Sequence, residues 1–230
     1  METINQLFDR LDCWRHLPNY QLERRADLFF SLYLPEALEA KLGFPIPPEL
    51  IPEFPVRVGT IYPKIPINKS FKIDYLALSR SGDEAIFVEL KTEGLSRRPK
   101  QDAYLTAACR AGMSNLLEGL LLICKATSSK GTYRCLLNSL SLAGLLRVPP
   151  DTADILRRET LQGIGHAFEG VQIISQVKRC HIMYVQPKGE GPDIISFQDF
   201  QATVGKHDDP VSSRFRQSLA EWSRIPAGGL

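Results

Sequence analysis

The sequence predicts an α/β fold, with a central mixed sheet and helices on both faces. Two neighbouring segments, 71–78 and 86–91, alternate in side-chain character with the period of two that is typical of strands. The segments 21–33 and 104–121 instead repeat apolar residues at helical spacing. A further strand pattern follows at 178–186. Strand and helix patterns that alternate along one chain are typical of α/β domains.

The length and composition are those of an ordinary folded domain. The chain has 230 residues, 43% of them hydrophobic and 23% charged, which suits one domain of good size. Lys and Arg number 28 and Asp and Glu number 26, so the net charge is only +2. Bulk charge therefore does not indicate nucleic-acid binding, and local basic patches would have to supply it.

The cysteine pattern and the short apolar runs together predict a cytoplasmic protein. The five cysteines are odd in number and contain no CxxC pair, which predicts neither a disulfide framework nor a zinc knuckle. The first residues are partly acidic and have no apolar core, so we do not expect a signal peptide. Charges interrupt every apolar run before the length of a membrane span. We expect a cytoplasmic protein.

The N-terminal third is predicted to be helical and then rich in proline. A first amphipathic helix lies within 1–17 and a second spans 21–33. Pro35 is expected to end the second helix and to open a short one, 35–42, which stops at Gly43. The connector 43–66 is too rich in proline for a long helix, and we expect short edge-strand fragments at 53–57 and 58–62.

After the two central strands, the patterns alternate again. The expected elements are one long helix through 104–121, helices at 131–146 and 151–169, strands at 178–186 and 194–197, and a terminal helix at 208–223. We read all of this as a single domain over 1–225. Its parts are N-terminal helices (1–43), a connector (44–70), a core (71–200) and a C-terminal helical region (201–225), with a disordered tail at 226–230.

The two central strands form a hairpin whose register brings charged residues together. The intervening Ser-Arg-Ser-Gly-Asp at 79–83 is a turn signal. Folding about its centre places Asp74 directly opposite Glu89. Because side chains repeat every two residues along a strand, Lys91 lies on the same face as Glu89. Asp74, Glu89 and Lys91 are therefore expected to converge.

Two opposed carboxylates in an apolar sheet suggest a ligand between them. The strands carry apolar residues on both faces, which is typical of a buried sheet, and unpaired charges are costly there. Opposed like charges destabilise a sheet, whereas a divalent cation would hold two carboxylates favourably. The alternative is an ordinary hairpin with a solvated polar face.

Asp74, the turn and Glu89-Leu90-Lys91 resemble the PD-(D/E)xK nuclease superfamily. The resemblance implies a restriction-endonuclease-like three-layer fold, in which helices flank a central mixed sheet. It also implies that Mg²⁺ or Mn²⁺ is held by Asp74, Glu89 and the carbonyl of Leu90, with Lys91 as the catalytic lysine. The chain departs from the pattern at Ile73, where the family name has proline.

The same resemblance implies two further contributions to the site. A helix before the first core strand often supplies an acidic residue in this family, and Glu23 is preferred here among four candidates. These are Glu23, Asp27, Glu36 and Glu39, for each of which a solvated helix surface is the alternative. A helix after the motif often supplies Gln or Lys, which points to Gln101.

Three basic residues lie close to the proposed site in sequence, namely Arg97, Arg98 and Lys100. They are compatible either with phosphate contacts or with a solvated loop. Sequence signatures of other chemistries are missing: the four histidines have no HxxxH spacing, and no GxSxG, P-loop or dinucleotide-binding pattern occurs.

The expected function is therefore that of a Mg²⁺-dependent endo- or exodeoxyribonuclease. DNA is the expected partner, a membrane is not, and a homodimer is left open. The first alternative is a nuclease-fold module with weak or no catalysis that binds nucleic acid or a protein. The second is a metal-dependent phosphoesterase that acts on small nucleotides.

Overall fold

A computed structural model describes residues 2–65, 67–92, 99–127, 130–152, 168 and 170–224. The helices within these ranges are α1 (Glu2–Trp14), α2 (Leu22–Leu42), α3 (Val58–Ile61), α4 (Pro99–Ala111), α5 (Met113–Ala126), α6 (Lys130–Leu142), α7 (Phe197–Val204) and α8 (Pro210–Trp222). The strands are β1 (Ile51–Arg57), β2 (Ser70–Leu78), β3 (Glu84–Leu90), β4 (Leu146–Arg147), β5 (Gln172–Ile173), β6 (Arg179–Gln186) and β7 (Ile194–Ser196).

Five of these strands form one mixed sheet in the order β1-β2-β3-β6-β7. Strands β1 and β2 pair antiparallel, while β6 and β7 pair parallel. Strands β4 and β5 form a separate antiparallel ribbon. The α/β class, with a mixed sheet flanked by helices, is confirmed.

The chain divides into two compact units. Unit 1 consists of Met1–Pro48, Val88–Gln101 and Met183–Leu230. Unit 2 consists of Glu49–Phe87 and Asp102–Ile182. The boundary falls inside strands β3 and β6, so each unit contains part of both strands.

The core of unit 1 is aromatic and centres on Phe215 of α8. Its ring lies 5.1 Å from that of Phe30, 6.0 Å from that of Phe8 and 6.0 Å from that of Trp222, measured between centroids. All four side chains are buried. Aromatic pairs at these separations stabilise a core beyond the area they remove from water. The cluster holds α1, α2 and α8 together.

A buried carboxylate supports the same helices. Asp12 of α1 accepts a hydrogen bond of 2.7 Å from Trp222 Nε1 and one of 3.1 Å from Ser218. Arg214 donates at 2.7 Å to Oδ2, the same oxygen that accepts from Ser218. These bonds compensate the cost of burying Asp12, since an ionised group needs partners when it leaves water.

Helix α2 continues through Pro35, and the prediction of a break there is wrong. The helix runs without interruption from Leu22 to Leu42 and ends as predicted at Gly43, whose φ is 78°. A proline inside a helix removes one backbone hydrogen bond and costs roughly 3 kcal/mol. Here Pro35 is buried among Leu34, Ala37 and Leu38, and burial of this apolar face outweighs that cost.

In unit 2, the turn of the central hairpin is closed as the sequence predicts. Ser79 N–H donates to the carbonyl of Glu84 at 3.0 Å, and Gly82 N–H donates to that of Ser79 at 2.9 Å. Gly82 has a φ of 74°, in the left-handed region that favours glycine.

The long helix expected through 104–121 is two helices, α4 and α5, which meet at an angle of 105°. The break is at Gly112, whose φ of 79° is left-handed. Apolar periodicity continues on both sides of this residue, so the pattern alone does not locate the turn. Among the described residues, no single helix is long and apolar enough to cross a membrane; by length and composition alone, only this bent pair could.

Cys109 of α4 and Cys180 of β6 form a disulfide, whereas the sequence predicts no disulfide framework. Their Cα atoms are 5.4 Å apart although 71 positions separate them in the chain. Such a pairing results from tertiary packing, and no pattern in the sequence around either cysteine predicts it. Of the other cysteines, Cys13 and Cys135 are exposed. Burial raises the pKa of the Cys124 thiol to about 12, which makes it unreactive.

Other predicted elements differ in detail. The fragment 58–62 contains the short helix α3 where a strand is expected, and α7, β4 and β5 are additional elements. Most of the helix expected at 151–169, and the tail at 226–230, lie outside the described residues.

Candidate active site

Glu89 is a buried carboxylate near the end of a fully buried strand. Every residue of β3 is buried, and Glu89 is only 1% exposed. Its Oε2 accepts a hydrogen bond of 3.1 Å from Lys91 Nζ and another from Gln101 Nε2. All three residues belong to unit 1. Two side chains that donate to one oxygen fix the orientation of the carboxylate.

Lys91 lies between two carboxylates. It directly follows β3, and its backbone N–H donates to the carbonyl of Val185 in β6 at 2.8 Å. Its side chain is 7% exposed, with Nζ 3.1 Å from Glu89 Oε2 and 3.9 Å from Glu23 Oε2. A buried ammonium group is costly in the absence of such partners. The structure therefore brings together Glu23, Glu89, Lys91 and Gln101.

Glu23 is the one of the four acidic candidates that lies beside Lys91. It occupies the first turn of α2, where the helix dipole favours a negative charge. The other three make different contacts: Asp27 accepts from Leu28 N–H, Glu36 pairs with Lys206 and His207, and Glu39 accepts from Ile46 N–H. Hydrogen bonds from Lys206 and His207 lower the pKa of Glu36.

Gln101 is the third residue of α4, and its amide donates to Glu89. Replacing Gln101 by alanine removes one donor from an oxygen that Lys91 still contacts. We expect the melting temperature to change little and the activity of the site to fall, because the carboxylate becomes less well oriented. Thermal denaturation and a cleavage assay on the same preparation test this. A large loss of stability with unchanged activity would contradict it.

Asp74 lies in strand β2 of unit 2 and is half-buried. Its neighbours Ile73 and Tyr75 pair with Phe54 and Pro52 of β1. Leu90, whose carbonyl is a predicted ligand, is the last residue of β3 and is buried. Of the three basic residues near the motif, Lys100 is exposed, while Arg97 and Arg98 lie outside the described residues.

Sequence reasoning did not identify a second charged cluster, at the start of β3. Glu84 is buried and accepts hydrogen bonds from His181 Nε2 and from Arg179, both in β6. The hydrogen bond from His181, followed by that from Arg179, lowers the pKa of Glu84 against the opposing effect of burial. Alternation along β6 places Arg179 and His181 on one face, but nothing local indicates Glu84 as their partner.

The lowered pKa makes this cluster sensitive to acid. A carboxylate with a depressed pKa stabilises the fold above its unfolded-state pKa, and that stabilisation is lost as the pH falls through the folded value. We therefore expect Glu84→Gln to be less stable than the wild type at neutral pH. The difference should shrink as the pH falls below about 4.3, the usual glutamate value. Urea denaturation across this range measures it, and a constant difference would contradict the assignment.

The oxygen donors around Lys91 suit a hard divalent cation. Among the described residues, no three or more His, Cys, Asp or Glu side chains gather into a group that could hold a metal ion. Mg²⁺, however, is often bound through one or two carboxylates, with water and substrate phosphate completing its shell. In unit 1, Glu89 supplies one carboxylate, whereas the carboxylate of Glu23 lies beside the Lys91 ammonium group. Carboxylate oxygen is a donor type that suits Mg²⁺ or Mn²⁺ better than a softer ion.

The contacts of the buried Lys91 with Glu89 and Glu23 are observed in this structure itself. No family model matches this chain, and neither a curated protein nor a solved structure shows significant similarity to it.

Proposed function

We propose that this protein is a metal-dependent nuclease that hydrolyses DNA phosphodiester bonds, with a restriction-endonuclease-like fold of the PD-(D/E)xK type. The observation that carries the proposal is the burial of Lys91 between Glu89 and Glu23. Gln101 donates a further hydrogen bond to the Glu89 carboxylate. Charged side chains are rarely retained in an apolar environment unless a function requires them.

The metal ligands in this proposal are Glu89, the carbonyl of Leu90 and Asp74. Asp74 is assigned from the hairpin register that the sequence predicts. A bound Mg²⁺ or Mn²⁺ ion would supply Lewis acidity and a lowered pKa for a coordinated water. The hydrogen bond from Gln101 and that from Lys91 hold the Glu89 carboxylate in one orientation, which such a site requires.

Lys91 has the central role in the chemistry. Its ammonium group can donate three hydrogen bonds, and one of them is directed to Glu89 at 3.1 Å. The group is positioned to orient an attacking water and to offset the negative charge that develops on the phosphate in the transition state. The carboxylate of Glu23 lies 3.9 Å from the same ammonium group and helps to hold it in place.

The test is a cleavage assay on linear, nicked and single-stranded DNA with Mg²⁺, Mn²⁺ or EDTA. We expect cleavage only with the divalent ion. We also expect Asp74→Asn to weaken Mn²⁺ binding in calorimetry and to lose cleavage. Asp208→Asn is a matched control, because Asp208 is exposed and lies just before α8. Cleavage in EDTA as fast as with the divalent ion, or full cleavage by Asp74→Asn, would contradict the proposal.

A second candidate is a nuclease-fold module that binds nucleic acid without cleaving it. It is favoured by the finding that, in the described part of the chain, no group of three metal-binding side chains is assembled. Calorimetry with and without DNA distinguishes the two functions. DNA binding that neither requires nor strengthens divalent-ion binding would favour the module. Hydrolysis of mononucleotides but not of DNA would instead indicate a small-molecule phosphoesterase.

A further inference from the structure

From the end of β1 to the start of β2, unit 2 carries positive charges and no negative ones. Between Glu53 and Asp74 the chain carries four of its 28 Lys and Arg residues and none of its 26 Asp and Glu residues. The four are Arg57, Lys64, Lys69 and Lys72. In a chain whose net charge is only +2, this is a distinctly basic segment. We call the connection between β1 and β2, residues 58–65 and 67–69, the basic arm.

The basic arm is held in shape by hydrogen bonds at its base. Val58 N–H donates to the carbonyl of Lys69 at 2.8 Å, which closes the connection. Beside it, Arg57 Nε donates to Asn68 Oδ1 at 2.7 Å. Within the arm, Ile65 N–H donates to the carbonyl of Tyr62 at 2.8 Å. The described residues therefore present their side chains from an ordered backbone, which lowers the entropic cost of binding.

The lysines of the arm point to an external partner of opposite charge. Lys64 and Lys69 are exposed, and among the described residues neither has a carboxylate within ion-pair distance. Lys72 differs, because its Nζ lies 2.6 Å from Glu53 Oε2. Within the arm, Lys64 and Lys69 are thus the two lysines that no carboxylate of the described ranges compensates.

Exposed apolar side chains are interleaved with these lysines. Tyr62, Ile65 and Ile67 are 39–48% exposed. At the end of the arm, the rings of Phe71 and Tyr104 pack with their centroids 3.9 Å apart and are half-buried. Cations combined with exposed rings and apolar side chains are typical of surfaces that track a nucleic-acid backbone and stack on bases.

The arm leads directly to the proposed site. Strand β2 begins at Ser70 and contains Asp74, only five residues after Lys69. At about 3.3 Å per residue, this separation is roughly 16 Å along the strand. It corresponds to about five nucleotide steps of a duplex, at 3.4 Å each.

From these observations we propose that the basic arm binds the sugar-phosphate backbone of DNA a few nucleotides from the scissile phosphate, through Lys64 and Lys69. The inference rests on the proposed function for the identity of the nucleic acid and for the position of the scissile bond. Phosphate contacts of this kind supply affinity and register but no sequence preference.

The experiment measures DNA binding without cleavage. Fluorescence anisotropy of a labelled oligonucleotide, single-stranded or duplex, is recorded in EDTA over a range of salt concentrations. We expect Lys64→Gln/Lys69→Gln to raise Kd by about tenfold and to reduce the slope of log K against log salt by about 1.4 to 1.8, since each phosphate contact contributes about 0.7 to 0.9. The two oligonucleotides show which form of DNA the arm prefers.

The matched control is Arg80→Gln/Lys178→Gln. Arg80 and Lys178 are also exposed residues of unit 2, but Arg80 follows the opposite end of β2 from the arm. We expect this double variant to bind DNA with the affinity and salt slope of the wild type. Equal effects of the two double variants, or no binding of either oligonucleotide by the wild type, would overturn the proposal. So would salt-independent binding, which would indicate an apolar partner surface.

Failure of the arm and failure of the nuclease give different results. If the wild type binds through Lys64 and Lys69 but cleaves nothing, the arm is supported and the proposed function fails. If the wild type cleaves DNA while Lys64→Gln/Lys69→Gln keeps the full salt slope, the arm fails and the proposed function is unaffected. Circular dichroism of each variant shows whether the fold is retained.

Discussion

Lys91→Met is expected to lower kcat for DNA cleavage by roughly 10²- to 10³-fold, the usual effect of removing one donor that stabilises transition-state charge. Methionine keeps much of the length and volume of the lysine stem, so no large cavity is introduced. Because Lys91 is not one of the proposed metal ligands, the affinity for Mn²⁺ should change little. Single-turnover kinetics and calorimetry measure the two quantities separately.

The control for this variant is Lys206→Met. Lys206 also pairs with a carboxylate, Glu36, at 2.8 Å, but its side chain is 57% exposed. Exposed pairs of this kind contribute about 0 to 1 kcal/mol, and we expect neither the fold nor kcat to change measurably.

The contrary outcome for Lys91→Met is also well defined. Breaking a buried ion pair by removing one partner costs about 3–5 kcal/mol when the pair is purely structural. If the variant loses that much stability while its folded fraction cleaves DNA at the wild-type rate, Glu23, Glu89 and Lys91 form a structural ion network. The proposed mechanism would then be wrong.

Phe215→Ala is expected to destabilise the protein by about 3–5 kcal/mol, the usual cost of replacing a buried phenylalanine with alanine. The Phe215 side chain is 0% exposed and contacts aromatic rings from three helices. Domains are typically stable by only about 5–15 kcal/mol, so this loss should be evident as a marked fall in the urea midpoint.

Leu28→Ala provides the comparison within the same unit. Leu28 lies in α2 and is 72% exposed, so its truncation should change stability by no more than about 0.5 kcal/mol. A similar small effect for Phe215→Ala would show that the aromatic cluster does not hold these helices together.

The aromatic core also bears on the site. Helix α2 carries Phe30, which packs on Phe215, and Glu23, which lies beside Lys91. The position of Glu23 therefore depends on how the helix is packed. A Phe215 variant that remains folded at low temperature should bind Mn²⁺ normally, since the ligands proposed here are not on α2.

Much of the fold was accessible from the sequence because the relevant signals are local. Alternation with a period of two predicted β2, β3 and β6, and the Ser-Gly-Asp turn predicted the closure at Ser79 and Glu84. Gly43 marked the end of α2 because its left-handed backbone conformation is one that glycine adopts without strain. These features depend on a few neighbouring residues, and so they can be predicted from the sequence without knowledge of the tertiary structure.

The sequence determined strands β2, β3 and β6, the end of α2 at Gly43, and the spacing of two residues that puts Glu89 and Lys91 on the same side of the chain. Tertiary packing decided the rest. Burial carried α2 through Pro35, and a left-handed Gly112 turned one apolar pattern into two helices. Folding brought Glu23 to Lys91, His181 to Glu84, and Cys109 to Cys180. These partners are distant in sequence. They meet because of the energy of packing whole helices and strands together, which local sequence patterns do not predict.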